Sequence, residues 1–237
     1  MIVFAGVIPT NDLFLRNPKN ITEKTLEALQ LFRSEIERSE PETIVIISDR
    51  AGVFKNSYSL PFNTRLTESL KKFGIITTHI SYQLDTALVR DLQSFIQKKH
   101  LSLRSVHTDF IDPQTAIAMR SLDLQKQFQM MTIGTSEEPA ENHFEFGTRL
   151  NDFFHSHPRR IAIIACTEIP EIDSSKIEKV LIARDITKIN DKIVAQKNIQ
   201  NLSVMFGMIK DFPHQTQIIS HEQYLNTAWI VAHLYSA

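Results

Sequence analysis

Two short stretches set potentially reactive side chains side by side: Asp49-Arg50 and Cys166-Thr167-Glu168. Each follows an unbroken apolar run, so each should sit where a buried strand ends. A carboxylate at such an end can move a proton or hold a cation. A guanidinium there can grip a carboxylate or phosphate through paired hydrogen bonds. Asp49 and Glu168 could thus face one cleft. The plainer reading is that Asp49 caps a turn and pairs with Arg50. Cys166 has two readings as well, a reactive thiol or a small core residue closing its strand, and the second is commoner. Asp112 precedes Pro113 with Thr115 close behind, the order that caps a helix start.

The nine histidines form no metal-binding pattern. His155 and His157 are two apart on a helix and do not share a face. His79 lies within a strand, His100 at a helix end, and His233 in the last strand. His214 and His221 flank a late strand. None has HxxxH or HExxH spacing, and each reads as a surface or hydrogen-bonded core histidine. There is also no GxGxxG, P-loop, CxxC or GxSxG.

These residues need a scaffold, and the chain's bulk properties describe it. The 237 residues are 42% hydrophobic and 22% charged, enough apolar side chain for one large core. The formal charge is −1, and basic residues come only as doublets such as Lys71-Lys72, Lys98-Lys99 and Arg159-Arg160. Phenylalanines are not interleaved with them. This excludes a nucleic-acid surface. No apolar run reaches the ~20 residues that span a bilayer, and Pro9 interrupts the first one. With a single cysteine, no intrachain disulfide can form, which suits a cytoplasmic protein.

Strand and helix signals alternate along the chain. Apolar strands are expected at Ile2 to Ile8, Glu42 to Ser48, Ile75 to Ile80, Phe128 to Ile133 and Arg160 to Cys166. Two late strands follow, around Gln217 to Ile219 and Thr227 to Tyr235. Helices are expected from Asn20, with Glu23 in capping-box position and a face of Leu26, Leu29, Phe32 and Ile36. Others run from Thr64 to Phe73 before Gly74, from Asp85 to about Lys99, from Glu141 to His157, and over most of Ser174 to Phe212. No linker or repeat divides the chain. The expected fold is one α/β domain over residues 1–237, three layers with a mostly parallel central sheet and helices on both faces. Ligands of such sheets sit beyond the carboxyl ends of the strands. Those ends are Pro9 to Leu13, Ser48 to Val53, Ser81 to Asp85 and Thr167 to Glu171.

Four of these stretches, in order, resemble the class III extradiol ring-cleavage dioxygenases of the subunit-B (LigB) type and the related Memo-like proteins. They are Gly6-Val7-Ile8-Pro9-Thr10-Asn11, where the family has a histidine-proline turn, and Pro41-Glu42-Thr43-Ile44-Val45-Ile46-Ile47-Ser48-Asp49-Arg50, where it has an Asp-His or Pro-His turn. Asp112-Pro113-Gln114-Thr115 stands for its Asp-His-Gly-Thr. Ile163-Ile164-Ala165-Cys166-Thr167-Glu168-Ile169-Pro170 stands for a late strand and turn with a histidine. Thr227 to Ala232 resembles the closing strand.

The resemblance implies a fold and a cleft, and withholds the chemistry. The family holds Fe(II) with two histidines and a carboxylate, leaving positions open for catechol and O₂. Here the first ligand position falls at Thr10 or Asn11, and the second at Arg50. The acid/base position is Pro113, and the late histidine falls at Ile169 or Pro170. At ~4 Å and an effective dielectric near 20, Arg50 would oppose an ion by about 4 kcal/mol per unit charge, roughly doubled for a divalent one. No cofactor is therefore expected. Three readings follow: a non-iron relative whose cleft binds a small anionic ligand or a protein; an enzyme with a metal site rebuilt from Glu168, Asp49 and a histidine; or a partner subunit or homo-oligomer, since subunit-B-type proteins assemble with partners.

Overall fold

The computed structural model describes residues 1–11, 21–51, 54–69, 79–124, 128–170, 174–183, 199–212, 214–224 and 226–236. In chain order the elements are β1 (Ile2–Pro9), α1 (Glu23–Arg38), β2 (Thr43–Ser48), β3 (Tyr58–Pro61), β4 (Arg65–Ser69), β5 (His79–Gln83), α2 (Thr86–Lys99), β6 (Leu103–Val106), α3 (Pro113–Ser121), β7 (Gln129–Gly134), α4 (Ala140–Ser156), β8 (Ile161–Thr167), β9 (Ile169–Pro170), α5 (Ser174–Ala183), α6 (Gln200–Met208), β10 (His214–Tyr224) and β11 (Thr227–Ser236).

Nine strands form one sheet in the order β10-β11-β1-β8-β2-β7-β3-β6, with β9 beside β11. The four central strands are parallel: β1 with β8, β8 with β2, and β2 with β7. Every residue of β2 and β8 is buried, because helices cover both faces. The fold is therefore α/β, as expected, but the sheet is mixed. β11 joins β1 antiparallel, β10 and β9 join β11 antiparallel, and β3 joins β7 antiparallel. Hydrophobic runs report burial on two faces but carry no strand direction, so the antiparallel flanks were not readable.

Three other expectations change. The segment from Thr64 is not a helix: Arg65 to Ser69 forms β4, antiparallel to β5 in a separate two-stranded sheet. Leu66 and Glu68 are buried while Arg65 and Thr67 are exposed, a period of two. The helical spacing of Leu66, Leu70 and Phe73 masked that alternation; residues 70–78 lie outside the described ones, as does most of the strand expected at Ile75 to Ile80. Helix α1 is capped by Thr22, whose hydroxyl accepts from Thr25 N–H; the expected cap, Asn20, also lies outside. Its buried face is Thr25, Ala28, Leu29, Phe32 and Ile36, and Leu26 is exposed. Asp85 caps α2 as expected, accepting from Leu88 N–H. It also accepts from the Thr43 hydroxyl and meets Arg159 at 3.4 Å, so it belongs to the amino end of β2, away from the cleft.

Close backbone packing sets where α6 starts. A Cβ added at Gly147 of α4 would lie 2.1 Å from the Val204 carbonyl oxygen, and one at Gly207 of α6 would lie 2.3 Å from that of Phe144. The two helices touch through these glycines, which fixes the height of Gln200 and Asn201 at the start of α6. We expect Gly147→Ala to cost about 1–3 kcal/mol by overpacking, measured as a lower denaturant midpoint. An unchanged midpoint would mean that the helices can slide apart freely.

Candidate functional site

The carboxyl ends of β1, β2 and β8 meet the amino ends of α3 and α6. Ser48, at the end of β2, donates to Asp112 Oδ1 at 2.6 Å and accepts from Arg50 N–H at 3.2 Å. Asp112 caps α3 by accepting from Thr115 N–H at 3.1 Å. The next-but-one residue, Gln114, is fully buried. Its Oε1 accepts from Asp49 N–H at 3.0 Å and from Asn201 Nδ2 at 3.5 Å, and lies 3.1 Å from Ser48 Oγ. Asn201 also donates to the Cys166 carbonyl oxygen. On the other side, Thr10 N–H donates to the Thr167 carbonyl at 2.9 Å, and the Thr10 hydroxyl points to the same oxygen.

Arg50 reaches across to β8: its Nη2 donates to Glu168 Oε2 at 2.6 Å. Both side chains are partly exposed, at 42% and 35%. That matters because an exposed pair is worth only about 0–1 kcal/mol and opens readily for a competing ligand. It also offsets much of the repulsion that Arg50 alone would exert. Asp49 faces a different environment. Burial raises its carboxyl, Arg50 lowers it, and Glu168 and Asp112 raise it again, leaving it at about 6. Its Oδ1 is buried and has no hydrogen-bond partner among the described residues, and the same is true of Gln114 Nε2.

Arg50 and Asp112 line a cleft of about 210 Å³. Its apolar lining comes from Pro61, Leu66, Val106, Phe110 and Ile111, with Tyr82 beside them. Phe110 is 72% exposed, unusual for its size. The Tyr82 hydroxyl is held by Thr132 Oγ1 at 3.2 Å, and Thr132 lies 3.4 Å from the Thr115 hydroxyl. Tyr82 thus presents its ring, not its hydroxyl.

The sequence-derived residues divide accordingly. Asp49, Arg50, Asp112, Cys166 and Glu168 gather at one end of the sheet. Thr10 is buried there, but its hydroxyl is committed to backbone, and the half-buried Asn11 follows it. Thr115 is buried behind the cleft. Arg50 pairs with Glu168, just after β8, rather than serving only a local turn with Asp49. Cys166 is fully buried; burial and the charges of Asp112 and Asp49 push its thiol up, against a lowering contact from Thr10. That is a core thiol. Pro113 is the first residue of α3, and Ile169–Pro170 pair with β11. Among the described residues, no three His, Cys, Asp or Glu side chains converge as a metal site. Sequence reasoning missed Gln114, Asn201, Phe110 and the apolar wall. Gln114 stood in view, between Pro113 and Thr115.

No family model and no curated protein matches the chain. Among solved structures, it is similar to the uncharacterized protein JW3007 from Escherichia coli K12. The TM-score is 0.68 at 13% identity, covering 99% of this chain and 100% of that one. That likeness extends to the fold. Among the described residues, no helix is long and apolar enough to cross a membrane.

The titration of Asp49 has a sign that can be checked. Its folded value lies above its unfolded one, so it favours folding at low pH and loses that contribution as pH rises through about 6. Asp49→Asn removes the buried charge but not the shape. We expect it to raise Tm at about pH 7.5 and to lose that advantage progressively as pH falls through about 6 towards the unfolded value of 3.8, so that little is left near about pH 3.5. Equal effects at both pH values would show that Asp49 is not buried as a charge.

Proposed function

We propose that this chain is a divergent relative of the class III extradiol dioxygenase subunit-B and Memo-like proteins that holds no iron at the ancestral position. It uses the strand-end cleft to bind a small anionic ligand with an apolar body, in the cytoplasm. The order of the four matching stretches supports the kinship. The observation that carries the function is Arg50 lining an otherwise largely apolar cleft; by the resemblance, a metal-binding histidine stands at that position in the family. The residues at the ancestral ligand positions do not fit Fe(II): Thr10 is bound to backbone, Arg50 is a permanent cation, and Pro113 has no donor group.

In this reading Arg50 does directly what the metal does in the resembled family: it neutralises the anionic group of the ligand. Glu168 is the internal stand-in for that group, held at 2.6 Å until a ligand displaces it. Pro61, Leu66, Val106 and Ile111 take the apolar body, and the exposed Phe110 ring is available to cover it.

Benzoate is a suitable probe. Calorimetry should show binding to the wild type and loss of binding in Arg50→Ala. Glu168→Gln removes the competing carboxylate and should bind up to about fivefold tighter, the scale of an exposed ion pair. Benzoate binding unaffected by Arg50→Ala would contradict the reading. A separate check concerns iron. After anaerobic loading with Fe(II), elemental analysis should find no stoichiometric metal, and protocatechuate should cause no oxygen uptake. Stoichiometric iron with turnover would overturn the proposal.

A further inference from the structure

We propose that the cleft takes a zwitterion, an α-amino acid with an apolar side chain, whose ammonium is held by Asp112 while Arg50 takes its carboxylate. This deepens the anion-binding reading of Arg50 and rests on it. What it adds is a second recognition group and a residue that sets specificity.

The starting point is charge. Arg50 and Asp112 both line the cleft, and among the described residues that line it Arg50 is the only cation. Asp112 is half-buried, and Glu168 is held on Arg50 at 2.6 Å. One guanidinium thus stands against two carboxylates. A simple anion that displaced Glu168 would leave three negative groups around one positive group. A phosphate ester, with its second charge, would add to that excess. A ligand that brings its own cation corrects it, provided the cation lands beside Asp112.

The positions of the two residues fit this. The Ser48 hydroxyl donates to Asp112 Oδ1 at 2.6 Å and accepts from Arg50 N–H at 3.2 Å. One hydroxyl therefore ties the Arg50 backbone and the Asp112 carboxylate to the same corner of the cleft. Asp112 accepts a second bond, from Thr115 N–H, and that too falls on Oδ1. Among the described residues its Oδ2 accepts none, so one oxygen anchors the group and the other can accept from a ligand. An α-amino acid carries carboxylate and ammonium on a single carbon, which asks for a cation and an acid at one corner. The side chain then meets Pro61, Leu66, Val106 and Ile111, which can pair no further charge. At about 210 Å³ the cleft is smaller than the ~300–1,000 Å³ of sites for drug-sized ligands, and suits a free amino acid.

Calorimetry with L-leucine and with 4-methylpentanoate, the same molecule without its amino group, tests this. We expect the wild type to bind leucine about tenfold tighter, the scale of a hydrogen bond between charged groups. Asp112→Asn keeps an oxygen to cap α3. It should erase the preference for leucine while binding 4-methylpentanoate at least as tightly as the wild type does. Damage to the fold would weaken both ligands together, so the ratio of the two reports on Asp112 itself. Leucine bound no tighter than 4-methylpentanoate, or not bound while benzoate binds, would overturn the amino-acid proposal and leave the Arg50 reading intact. Failure of all three to bind would overturn both. An Asp112→Asn variant that still prefers leucine would remove Asp112 from the site. Should that variant not fold, 2-hydroxy-4-methylpentanoate takes its place, with a neutral hydroxyl where leucine has its ammonium. If the wild type binds it as tightly as leucine, the proposal is contradicted.

Discussion

The ends of β2 and β8 and the starts of α3 and α6 are joined through one side chain, the buried amide of Gln114. Its Oε1 takes hydrogen bonds from the Asp49 backbone and from Asn201, and Asn201 in turn holds the Cys166 carbonyl. A buried amide oxygen must be satisfied, and here the turn after β2 and the start of α6 satisfy it together. That requirement fixes the turn after β2, and the turn aims Arg50 towards β8. Everything proposed for the cleft depends on this placement. The glycine contact between α4 and α6 supports it from below, because Asn201 reaches Gln114 only if α6 starts at the right height.

Charge is then distributed unevenly. Arg50 and Glu168 meet in partial contact with water, where their attraction is weak and reversible. Asp49 is more enclosed, so burial raises its carboxyl despite the neighbouring guanidinium. Two carboxylates near one cation thus differ, Glu168 in a partly exposed ion pair and Asp49 enclosed with its carboxyl raised to about 6. Environment, not residue type, separates them.

The legible parts of the fold were those governed by burial on two faces. β1, β2 and β8 announced themselves by unbroken apolar runs, and Asp85 and Asp112 by cap chemistry within four residues of their helices. Cys166 closed such a run and is buried with it. The illegible parts depended on distant partners. Tyr58 to Pro61 is too short to signal a strand, and β4 shared its apolar positions with a plausible helix. The Arg50–Glu168 pair spans 118 residues. Gln114 belongs to no motif, and its meaning arises only where four chain segments converge.

The central claim is that Arg50 holds the anionic group of a ligand where the resembled family holds iron. A crystal structure of the protein grown with benzoate tests it most directly. The account predicts the carboxylate within hydrogen-bonding distance of the Arg50 guanidinium, at about 2.7–2.9 Å, with Glu168 displaced and the ring against Leu66 and Ile111. Benzoate bound elsewhere, with the Arg50–Glu168 pair undisturbed, would contradict it.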